Sequence, residues 1–142
     1  MANILGKDVT FSIGDGESPE AFDEVDKALV VGPPNRTWNF EDGTFHGQAD
    51  LAMRNLATLF NEGDIGVNLM FDPSETEHTT LFNRMFGATN GLNNYRITFG
   101  SFQTATFAAW VSNPNWTIDK GNHVKLTCNL KIDGPVTYEA VL

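Results

Sequence analysis

One cysteine, three histidines and half as many bases as acids are what this sequence has least of, and each scarcity removes a class of function. The lone Cys128 cannot close a disulfide within the chain. It lies in an alternating apolar pattern with no neighbouring cation to hold a thiolate, so it reads as a small buried hydrophobe in a reducing compartment. The histidines, His46, His78 and His123, are scattered singly, without the close spacing on one element that zinc sites use, and no metal site is expected. Nine Lys and Arg against eighteen Asp and Glu give a formal charge of −9, which argues against a protein that grips phosphate backbones by counterion release. No apolar run approaches the roughly 20 residues that cross a bilayer. The N-terminus, Met1-Ala-Asn-Ile-Leu-Gly6, has neither the basic stretch nor the apolar core of a secretory signal. No membrane-spanning segment is therefore expected, and synthesis and folding in the cytoplasm is the default.

Catalytic signatures are missing too. There is no Gly-x-Ser-x-Gly elbow, no P-loop and no dinucleotide fingerprint. Asp15, Glu17 and Glu20 hint at a calcium loop, but Pro19 stands where an oxygen ligand is needed and no terminal Glu follows in register. Acid pairs such as Asp23/Glu24 or Glu41/Asp42 are possible glycosidase carboxylates in type, yet nothing singles them out from ordinary solvated acids. No catalytic residue, metal or cofactor is expected, and the chain is read as a non-enzyme.

What the sequence does have is alternation. Val124 to Ile132 is apolar at every even position and polar between, the pattern of a half-buried strand. The same period of two runs through Val9–Ile13, Ile65–Phe71 and Tyr95–Phe99, and through Ala105, Phe107, Ala109 and Val111. Thr37–Phe40 and Val136–Val141 are weaker candidates. One helix interrupts the strands over roughly Glu75 to Phe86: Ser74 and Glu77 have the spacing of a capping box, Leu81, Phe82, Met85 and Phe86 fall on one side with Asn83 and Arg84 away from it, and Gly87 offers a stop. With 142 residues, 11 Phe and 3 Trp, the chain reads as a single domain, 1–142, mainly β, with two packed sheets and a flanking helix.

Glu41 to Asp64 shows no sustained strand period, and a loop that long in a small domain is usually functional. Its apolar residues exceed what one small domain covers by itself, so it reads as a contact arm, with Phe45, Leu51, Met53, Arg54, Leu56 and Phe60 as the candidate contact residues. Charge is uneven as well: fifteen acids and four bases lie through Glu77, three acids and five bases after it. Such asymmetry allows oppositely charged faces to meet when copies associate.

The order of elements resembles the bacteriophage tail tube family, which includes the N-terminal domain of lambda-type tube proteins and the tubes of gene transfer agents. The series that carries it is Val9–Ile13 and Phe22–Val31, Gly32-Pro-Pro34 leading into Thr37–Phe40, the long arm, Gly63-Asp-Ile-Gly66 opening a strand that ends in Phe71-Asp-Pro73, the helix, Tyr95–Phe99, Ala105–Val111, and a closing strand ending in Lys131-Ile-Asp-Gly134. The resemblance implies a sandwich-like or barrel-like β domain whose copies form hexameric rings, stacked into a conduit for DNA ejection, with the arm reaching a neighbouring subunit or ring. It also implies a place in the virion tail after synthesis and assembly in the bacterial host cytoplasm, and as partners a tape measure protein, a tail terminator and a baseplate hub. No additional immunoglobulin-like domain is expected before Leu142. Acids concentrate in the half of the chain that supplies lining strands in the family, so Asp23, Glu24, Asp26 and Asp64 are the lumen-lining candidates, past which DNA moves without specific binding. Six chains at −9 each put −54 on a ring. Two other readings stay open: the tube of a type VI secretion or extracellular injection apparatus, and a β-sandwich carbohydrate-binding module using Trp38, Trp110 or Trp116.

Overall fold

A computed structural model describes residues 5–17, 19–32, 34–43, 55–88, 91–121 and 123–140. The strands are β1 (Val9–Gly14), β2 (Phe22–Glu24), β3 (Ala28–Val31), β4 (Thr37–Asp42), β5 (Asn55–Asn61), β6 (Asp64–Met70), β7 (Asn93–Phe99), β8 (Gln103–Thr117) and β9 (Lys125–Ala140), with the helix α1 (Thr76–Phe86) between β6 and β7. Seven of them form one antiparallel sheet in the order β2-β1-β7-β8-β9-β6-β3, and β4 and β5 form a separate two-stranded sheet. Among the described residues the fold is mainly β with one flanking α-helix and two sheets, as expected, and the sheets are of very unequal size.

The large sheet curls towards closure. Its two edge strands, β2 and β3, are consecutive in sequence and joined only by Val25–Lys27, so the opposite edges must come within a turn of each other. The Val25 N–H donates to the Phe11 carbonyl at 2.8 Å and the Met70 N–H to the Lys27 carbonyl at 3.0 Å, which ties the turn to both edges. Phe22–Val31 is therefore not one strand. The break comes at Lys27, whose φ of 64° turns the chain, and its ammonium pairs with Asp72 across the seam.

Alternation sets what the curl encloses. Phe11 and Ile13 of β1, Ile65, Val67 and Leu69 of β6, and Tyr95 and Ile97 of β7 are buried. So are Ala105, Phe107, Ala109 and Val111 of β8 and Leu126, Cys128, Leu130 and Ile132 of β9. Burial of each large side chain is worth about 1.5–3 kcal/mol, so this one face supplies most of the fold's drive. The closing strand does not end at Gly134; β9 continues to Ala140, its far half pairing with the start of β8 after a register shift.

The helix packs on the core through Leu81 and Met85. Phe82 and Phe86 lie further round and build a surface aromatic group with Phe71 and Trp116, the Phe86 and Trp116 rings stacked at 5.7 Å. The expected capping box does not form. Asp72 takes the Ser74 hydroxyl at 2.6 Å and the Ser74 N–H at 3.0 Å, so the serine is turned back into an Asx turn, and the N-cap is Glu75 with no side-chain cap. Gly87 closes the helix at φ −72°, without the left-handed cap a glycine permits. Arg84 is not turned out to solvent: its Nη2 donates to the Gly14 carbonyl at 2.6 Å and its guanidinium lies 5.4 Å from the Tyr95 ring centroid.

Candidate assembly interface

The segment read as an unstructured arm is bounded by strands. β4 and β5 pair antiparallel, Thr37 against Asn61 and Asp42 against Asn55, and residues 44–54, with the candidates Phe45, Leu51, Met53 and Arg54, lie outside the described residues. The strand character of β5 was hidden because both its faces are exposed and a register shift sits between Trp38 and Phe40. No buried face imposes a period of two.

Every residue of β4 and β5 is exposed, and the exposed set is rich in large apolar side chains. Leu59 is 72% and Phe40 63% exposed, and Leu56, Trp38 and Phe60 are open as well. Candidates Leu56 and Phe60 thus fall on one hairpin with three further apolar residues. Trp38 and Phe60 touch across the strands with ring centroids 4.8 Å apart. Exposed single hydrophobes are ordinary, whereas five large ones gathered on one two-stranded sheet are not.

At the root of the hairpin lies a polar junction that the sequence reading did not single out. Glu62 is 2% exposed. Its Oε1 accepts from Arg36 Nε at 2.7 Å, and its Oε2 accepts from Arg36 Nη2 at 2.9 Å and from the Val136 N–H of β9 at 2.7 Å. The Arg36 guanidinium lies 4.3 Å from the Phe60 ring centroid and 5.8 Å from that of Trp38. Arg36 holds the Glu62 carboxyl below its ordinary value; burial opposes this and the Val136 N–H reinforces it. One signal could have found the pair: Arg36 and Glu62 flank the terminal register pair Thr37–Asn61 symmetrically. Recognising the hairpin would have placed opposite charges face to face. Between hairpin and sheet runs a concavity of about 450 Å³ lined by Leu59, Phe60, Glu62, Ile132 and Pro135 among others.

The four acids proposed to line a bore do not share one face. Glu24 pairs with Ser12 and Asp64 with Lys131, on the side of the sheet away from the core, whereas Asp23 pairs with core-facing Ile13 and lines a small cavity with Glu77 and Arg84. Adjacent strand residues point to opposite faces, so Asp23 and Glu24 cannot act together. Asp26 sits in the turn between β2 and β3, its carbonyl held by His78. The polar face that carries Glu24 and Asp64 is rich in threonine and mixes in Arg96, Lys125 and Lys131.

Among the described residues no three His, Cys, Asp or Glu side chains gather as a metal site, and no helix is long and apolar enough to cross a membrane. Burial pushes the Cys128 thiol up to about 12. His78 is fully buried between two backbone groups, and its spacing of three, four and seven residues from Leu81, Phe82 and Met85 puts it on the same face of the helix.

No protein-family model and no curated protein sequence matches this chain. Solved structures do. A chain from the tail of an empty gene transfer agent particle, computed with six-fold symmetry, superposes with a TM-score of 0.68 at 10% identity, covering 98% of this chain and 100% of that one. A chain of the extended PVC sheath–tube complex, an extracellular contractile injection system, gives 0.70 at 13% identity over 98% and 93%. The SPP1 tail tube gives 0.69 at 8% identity over 99% and 81%. At such identities it is the course of the backbone that is shared, over nearly the whole of this chain: the protein has the fold found in the tubes of phage tails, gene transfer agents and contractile injection systems.

Proposed function

We propose that this protein is a non-catalytic structural subunit of a phage-like tail tube, one domain that self-assembles into six-membered rings stacked into a conduit. The observation that carries the reading is the hairpin: a subunit of tail-tube fold that projects five large exposed apolar side chains on an otherwise separate two-stranded sheet needs another surface to cover them. A second copy is that surface in a self-assembling ring. Within the tube, Glu24 and Asp64 are the bore-wall acids, set among threonines and beside Arg96, Lys125 and Lys131, a mixed wall rather than a basic one. DNA passes without specific binding, and tape measure, terminator and baseplate hub proteins close the assembly. Such a particle places the protein in the virion tail, after synthesis in the host cytoplasm.

The backbone match to the PVC chain keeps the tube of an injection apparatus as the alternative within the same structural role. Light scattering against protein concentration tests self-assembly: a threshold concentration with a nucleated rise supports it. A linear, monomeric response up to high concentration counts against it and leaves a sugar-binding module ahead.

A further inference from the structure

Among the described residues, neither strand of the hairpin pairs with the seven-stranded sheet. A lone two-stranded hairpin is marginally stable in water, so the contacts at its root bear directly on its direction. Several hydrogen bonds hold the root among the described residues. The Asn35 N–H donates to the Glu62 carbonyl at 3.0 Å and the Ile132 N–H to the Gly63 carbonyl at 3.3 Å. Gly63 turns the chain out of β5 into β6 with φ +79°, and a Cβ there would stand 3.0 Å from the Asn35 carbonyl oxygen. A further tie is the Glu62 carboxylate, which reaches Arg36 before β4 and Val136 in β9 at once.

We propose that Glu62 is a latch that sets the direction of the hairpin: its buried carboxylate binds the lead-in of the hairpin to the last strand of the sheet, and so presents Trp38, Phe40, Leu59 and Phe60 at a fixed angle for self-assembly. The geometry distinguishes it from an ordinary surface ion pair. Both carboxylate oxygens are used, three donors converge from two elements distant in sequence, and the cation of the pair is the one that lies over the two hairpin aromatics. A fork-to-fork pair restricts rotation as well as distance. Ordering the hairpin before association removes an entropic cost from every contact it later makes. The assembly part of this inference rests on the tube reading; the latch itself does not.

The test pairs hydrogen exchange with assembly. In Glu62→Gln the amide presents donors to the guanidinium, and a charge-assisted bond is lost. Amides of β4 and β5 should then exchange about tenfold faster or more while those of β7 and β8 keep their protection, and the threshold concentration for assembly should rise by a similar factor. Arg36→Lys keeps the charge but not the fork, and should give the same change to a smaller degree; it serves as the second variant if Glu62→Gln unfolds. Unchanged hairpin exchange in a folded variant overturns the latch. Fast hairpin exchange with unchanged assembly overturns its role in presentation. If the wild-type chain never assembles, the tube reading fails, and the exchange comparison alone decides the latch.

Discussion

The Nε2 of His78 lies 2.6 Å from the carbonyl oxygen of Asp26, fifty-two residues away in sequence. Its Nδ1 accepts the Asp72 N–H at 3.0 Å, so the ring is the neutral Nε2–H tautomer and bridges two backbone groups at the seam where the large sheet closes. Replacing His78 by Ala empties the space of a fully buried ring and takes a partner from the part-buried Asp72 N–H and Asp26 carbonyl; the cavity and the lost hydrogen bonds each cost about 1–3 kcal/mol. Urea denaturation of His78→Ala should show a loss of about 2–5 kcal/mol, beyond what an exposed helix position gives. A loss under 1 kcal/mol would mean the seam is held by something else.

Cys128 is enclosed among Leu126, Leu130 and Val67 on the core face, and its thiol is pushed up to about 12 by burial. The thiolate is the reactive species. Native protein at neutral pH should resist a thiol-reactive dye over the time in which urea-unfolded protein is labelled completely. Rapid labelling of the folded chain would show that the β6–β9 core opens far more readily than its packing implies.

Glu62 carries a pH dependence whose sign follows from its shift. Arg36 first, and the Val136 N–H after it, lower the carboxyl in the folded state from its ordinary 4.5. A depressed carboxyl stabilises at pH above the ordinary value, and the contribution is lost as pH falls through the folded value. Hairpin protection, corrected for intrinsic exchange, should stay level from neutral pH to about 5 and decline only in more acid solution. Loss of protection between pH 7 and 6 would contradict the assignment.

The exposed apolar residues of the hairpin predict a clean separation of folding from assembly. Phe40 and Leu59 touch little of the core and are the two most open of the set. The double change Phe40→Lys, Leu59→Lys should leave thermal stability within about 0.5 kcal/mol, as surface substitutions do, and should abolish assembly. Variants that assemble normally would remove the hairpin from the interface.

How much of this was legible in the sequence depended on whether a buried face existed to write a period. In β8 and β9 the core takes every second side chain, and Ala105, Phe107, Leu126 and Leu130 stood out at once. β5 has no buried face, so Leu56, Leu59 and Phe60 follow no period and the strand looks like a loop in the sequence. The break inside Phe22–Val31 depends on a lysine at φ 64°, and a lysine carries no turn signal. Ser74 looked free to cap the helix until Asp72 was seen to hold it. The separation of Asp23 from Glu24 was already implied by the period of two, whereas the Arg36–Glu62 pair became readable only once the register of β4 and β5 was known.

Electron microscopy of the purified protein tests the central claim most directly. Rings of six chains at −9 each repel one another when they stack, and with a screening length of about 8 Å at physiological salt, added salt should favour growth. The account predicts hollow tubes or six-fold rings in negative stain, longer as salt is raised from low to moderate concentration. Featureless monomers at high protein concentration, at every salt concentration, would contradict it.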